Sequence, residues 1–77
     1  MNYDLAMMAL EGLTRAPLTV RVDSGRVTIS GEPAAFQDFA RLCLLLGGAS
    51  TNNDESFELQ PSVHVASGSP GVKLELS

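Results

Sequence analysis

Apolar positions recur with a helical period between residues 32 and 48. Phe36, Phe39, Ala40 and Cys43 fall at i, i+3, i+4 and i+7, and Leu46 continues that face. Gln37, Asp38 and Arg41 lie opposite. Pro33 suits a first helical position, where its missing N–H would have no partner anyway. Gly47-Gly48 suits the end, because glycine takes the left-handed conformation at little cost. The spacing predicts a helix over 33–47 that buries Phe36, Phe39 and Cys43 against a sheet.

Around this helix the period changes from helical to alternating. Leu18, Val20 and Val22 alternate with Thr19, Arg21 and Asp23, and Val27 and Ile29 alternate in the next run. Ser24-Gly25 between them reads as a two-residue hairpin loop. That loop sets Val22 against Val27, Val20 against Ile29 and Asp23 against Arg26. A slip of one residue would turn the apolar set outward. The first hairpin covers 18–31.

A second hairpin is expected over 57–77. Phe57, Leu59, Val63 and Val65 point inward, with Glu58, Gln60, Ser62 and His64 outward. Val72, Leu74 and Leu76 then point inward again. This pairs Val65 with Val72 and Val63 with Leu74. Pro61 cannot donate to a ladder and marks an edge or a bulge. The polar stretch 49–56, with Asn52-Asn53-Asp54-Glu55, reads as a surface loop without calcium-loop spacing.

Residues 1–14 read as a short N-terminal helix with two apolar stripes, Leu5, Met8, Ala9, Leu13 and Tyr3, Met7, Leu10, ending near Gly12. A helix this short needs something to pack on. The outer sheet face would carry Thr19, Arg21, Glu58, His64, Lys73 and Glu75 and stay wet, so the N-terminal helix belongs beside the central one. Met7, Met8, Leu42 and Leu45 then form an apolar seam, either within the chain or between two chains. The expected fold is α+β and one domain over 1–77. It is a two-layer sandwich with a four-stranded sheet of two hairpins, the central helix on one face (ββαββ), and a short helix at the start.

Composition narrows the chemistry. The chain has 77 residues and a net charge of −4, with a pI near 4.6. Its five basic residues are scattered, and phosphate backbones need clustered Lys and Arg. Aromatic side chains are few, and Tyr3, Phe36, Phe39 and Phe57 are expected inside, so stacking on bases is not expected. One His and one Cys do not make a zinc site. Cys43 reads as a small core residue. His64 with Ser62 lacks an orienting carboxylate, although Glu75 shares its face. Gly68-Ser69-Pro70-Gly71 is no phosphate loop. No cofactor, metal or catalytic set is expected. The start of the chain lacks a positive n-region, and no run reaches the length of a membrane span. Those features point to a reduced, cytoplasmic setting.

Val27-Thr28-Ile29-Ser30-Gly31-Glu32, followed by Phe36 and Phe39-Ala40, resembles the immunity protein 32 family of bacterial polymorphic toxin systems. The resemblance covers about residues 18–77. It implies a protein that binds and blocks a toxin without turnover. The acids expected to meet a basic partner are Asp54, Glu55 and Glu58, with Glu32 and Asp38 as a second patch. The competing expectation is a small structural or dimerising domain, or an accessory subunit, without catalytic activity.

Overall fold

The computed structural model describes residues 3–48 and 56–76. It is an α+β structure of two helices and two small antiparallel sheets: α1 (Tyr3–Arg15), β1 (Thr19–Asp23), β2 (Arg26–Ser30), α2 (Pro33–Gly47), β3 (Ser56–Leu59) and β4 (Val72–Glu75). Each sheet is one hairpin. Among the described residues the strands do not merge into a four-stranded sheet.

The first hairpin has the expected register: Val22 faces Val27, Val20 faces Ile29 and Asp23 faces Arg26. Ser24 and Gly25 both have positive φ, at 50° and 79°, as a primed two-residue turn requires. That turn twists with the strands and locks the pairing. Inward facing fails at its far end, however. Val20 is buried and Ile29 half-buried, but Val22 and Val27 are 64% and 60% exposed. The hairpin outruns the core that it covers.

The second hairpin is shifted. Phe57 pairs with Leu74 and Leu59 with Val72, in place of Val63 with Leu74 and Val65 with Val72. The strand stops before Pro61, which has no N–H to continue a ladder. Residues 60–65 close into a turn instead. The Gln60 carbonyl accepts from the N–H groups of Val63, His64 and Val65, and Ser62 takes a φ of 66°. Val63 is 40% exposed, and Val65 is fully buried. Segment 64–66 runs beside Leu18, whose N–H donates to the His64 carbonyl at 3.2 Å and whose carbonyl accepts from Ala66 N–H at 2.7 Å. This short contact links the two hairpins, so Ser62 and His64 lie in a turn and not on a sheet face.

α2 begins as expected, with Pro33 at its first turn. Its end differs: Gly48 keeps a right-handed conformation, with φ at −86°, and donates to the Leu44 carbonyl at 3.0 Å. The larger correction is rotational. The buried face of α2 is Ala35, Asp38, Leu42 and Leu46. Phe39 is only half-buried, Phe36 is 41% exposed, and Cys43 is exposed. The helix is apolar on nearly all sides, and its docking partner chooses the side.

That partner is α1, packed on α2 within the chain through Ala6, Ala9, Gly12 and Leu13. Gly12 lies inside α1 and does not end it. A Cβ on Gly12 would overlap the Asp38 carboxylate, so glycine is what lets the two helices meet there. The seam expected from Met7, Met8, Leu42 and Leu45 does not form as a unit. Leu42 is buried and Leu45 half-buried, whereas Met7 and Met8 point to solvent. Small side chains allow closer approach than methionines, which decides which stripe of α1 turns inward. One core joins these helices to Leu18, Val20, Phe57, Leu59 and Val65.

Candidate interaction surfaces

The outer side of α2 is the first candidate. Phe36, Ala40 and Leu44 repeat at spacing four and share one face, with Cys43 beside them. All four are exposed, Leu44 at 76%. The stripe contains no charged side chain; Arg41 and Asp38 lie off it. This is largely the stripe whose spacing predicts a core face, and the fold leaves it uncovered. Met7 and Met8 add exposed apolar surface on α1, flanked along the helix by Asp4 and Glu11.

The acids expected to meet a partner separate into three groups. Asp54 and Glu55 lie outside the described residues. Glu32 is the exposed N-cap residue of α2, next to the start of the apolar stripe. Glu58 is exposed on β3, opposite Lys73, which itself pairs with Glu75 at 3.5 Å. Asp38 does not belong with them. It is 9% exposed, sits against Gly12 and accepts from Arg41 Nη1 at 2.8 Å. Its carboxylate is a packing and ion-pair element of the helix seam. The sequence signal for this was the run of small residues at Ala6, Ala9 and Gly12, whose spacing of three makes a flat helix side.

The second candidate is an open groove of about 970 Å³ between the first hairpin and residues 68–70. Arg21, Asp23, Arg26 and Thr28 line it from the strands, and Ser69 from the loop. Ser69 is buried, and its Oγ accepts the Val20 N–H at 3.0 Å. Gly68, with φ at 90°, turns the chain so that Ser69 reaches the strand. No local pattern signals this contact, since it joins residues 49 apart.

His64 is half-buried, and its Nδ1 accepts the Gln60 N–H at 3.1 Å. Burial pushes its imidazole below the ordinary value of 6.5. Its ring is thus committed to the turn. Cys43 is exposed and so is not the buried core residue that its spacing suggested. Tyr3 and Phe36 are exposed as well, and so are not the interior aromatic residues that their spacing suggested. No group of three or more His, Cys, Asp or Glu suited to a metal occurs among the described residues. No helix among them is long and apolar enough to cross a membrane.

Comparison with family models, with curated proteins and with solved structures found no match. The resemblance to the immunity protein 32 family therefore stands on the quoted residues alone.

Proposed function

We propose that this protein works by binding another protein, without turnover, and that the outer stripe of α2 is the contact surface. One observation carries this reading. α2 is apolar on two sides, and the fold buries only one of them. An apolar stripe left exposed on a helix whose other apolar side is buried marks an interaction surface. Phe36 and Leu44 supply the anchor area, and Ala40 between them leaves a shallow seat for a partner side chain. Glu32 at the rim, with Glu58 on β3, would speed encounter with a basic surface and make it salt-dependent. A basic toxin fits this chemistry, and the family resemblance supports it. A second reading, a small dimerising domain, is favoured by the same stripe, because Phe36, Ala40 and Leu44 are self-complementary about Ala40.

The test is calorimetric titration against the product of the adjacent gene, with wild type and Leu44→Glu compared at equal folding. Binding should fall at least about tenfold in the variant, since burying a charge at a contact centre costs more than about 1.4 kcal/mol. Equal binding would remove α2 from the interface. A wild-type dimer in light scattering that Leu44→Glu splits into monomers would replace the first reading with the second.

A further inference from the structure

β1 has two edges, and only one is taken by β2. Around a two-residue turn the closing pair, Asp23 with Arg26, exchanges both backbone hydrogen bonds, and such pairs then alternate along the ladder. Arg21–Thr28 and Thr19–Ser30 are thus bonded pairs. The N–H and C=O groups of Leu18, Val20 and Val22 point away from β2. The structure agrees where partners exist. Leu18 bonds to segment 64–66, and Val20 N–H donates to Ser69 Oγ. The chain has therefore begun to add a third strand along this edge. At Gly68 and Pro70 it turns away. The Val20 carbonyl and both backbone groups of Val22 are left without a described partner, and they face the groove.

The groove has its own electrostatics. Its charged side chains are Arg21, Arg26 and Asp23, and the Asp23 carboxylate already accepts the Ser24 hydroxyl at 3.3 Å. The lining is net positive on a chain of net charge −4. Arg41 and Lys73 have acid partners, but neither groove arginine makes an ion pair among the described residues. Val22, 64% exposed, gives the edge an apolar contact as well.

We propose that the open edge of β1 binds an extended acidic peptide segment as an added strand, its backbone bonded to Val22 and a carboxylate side chain beside Arg21. This goes beyond the reading of α2, because it uses a different surface. In antiparallel alignment the residue opposite Val22 exchanges two hydrogen bonds with it. The next residue lies opposite Arg21, on the arginine face of the sheet. Arg26, one strand further in and directly opposite Asp23, offsets the field of that acid and leaves the positive charge of Arg21 at the edge.

The probe is the capped peptide acetyl-Ser-Thr-Val-Glu-amide, which ends opposite Arg21, short of the edge that Ser69 occupies, titrated into the whole protein at low salt and followed by amide NMR. Shifts should concentrate on Val20 to Arg26 and Ser69. A matched peptide with lysine for glutamate should bind roughly threefold or more weakly, the sum of a lost and a reversed exposed ion pair. Arg21→Glu should reverse that preference. N-methylation of the valine opposite Val22 should abolish binding. Val22→Pro should do so from the protein side, since that N–H serves no bond to β2. Leu44→Glu should leave binding unchanged. Equal affinity for the two peptides, retained binding of the N-methylated peptide, or shifts that map to α2 would overturn the proposal. The titration uses no natural partner, so failure of the α2 reading would not disturb it.

Discussion

The two helices and the two hairpins are held together by different means. α1 and α2 meet along a continuous seam of Ala6, Ala9, Gly12 and Leu13 against Ala35, Asp38 and Leu42. The hairpins meet through a few buried side chains, two backbone hydrogen bonds at Leu18 and one to the Ser69 hydroxyl at Val20. The helical half is specified by shape, and a close approach there leaves no room for a methyl group at Gly12. The strand half is specified by local turn chemistry, with open edges that shape does not close. Stability should therefore concentrate in the seam, and capacity for binding in the edges and outer faces.

The largest expected effect tests the two sides of α2. Leu42 is fully buried, so Leu42→Ala should cost about 2–5 kcal/mol, as large core truncations do. Phe36 is 41% exposed, so Phe36→Ala should cost under about 1 kcal/mol. Denaturant melts of the two variants measure the contrast. Equal losses would mean that the outer stripe is covered in solution.

A smaller effect of definite sign tests the helix contact. In an open helix position Gly→Ala stabilises by up to about 1 kcal/mol. At Gly12 the new methyl meets the Asp38 carboxylate, which must swing out of a buried site and strain its pairing with Arg41. Gly12→Ala should therefore destabilise wild type by about 1–2 kcal/mol. In an Asp38→Ala background the same change should become neutral or stabilising. A double-mutant cycle by thermal melts reads the difference, and additivity would break the account.

These contrasts explain what could be read from the chain. The first hairpin was legible in register, because Ser24-Gly25 and the alternation agree locally, but not in how much of its apolar face is covered, since Val22 and Val27 are exposed. The second was legible as a hairpin but not in register. A long connection carries no turn rule, and Pro61 only says where a ladder must stop. The helix over 33–47 was legible in extent but not in rotation. Its sequence offers two apolar stripes, and the choice belongs to α1, a tertiary contact. Asp38 illustrates the cost of that ambiguity. It looks like a surface acid only if the helix is turned the other way. The groove at Ser69 was not legible at all, since nothing in Gly68-Ser69-Pro70 names the distant strand it caps.

The smallest expected effect lies at the joint between the hairpins. His64 Nδ1 must be unprotonated to accept the Gln60 N–H, and burial also disfavours the charged ring. Its folded value lies below 6.5, so the unfolded chain binds the proton more readily. Stability from this group is then fully present above about pH 6.5 and is lost as the pH falls through the lowered folded value. The ring is only half-buried, which keeps the effect modest. Thermal melts between pH 7 and pH 5 should show a midpoint that falls with acid, and His64→Gln, which cannot titrate, should flatten that part of the curve. The helix seam carries no histidine, so Leu42→Ala should lower the midpoint by a similar amount at both pH values. A wild-type curve that is flat over this range, or one that His64→Gln leaves unchanged, would show that the turn does not depend on a neutral ring.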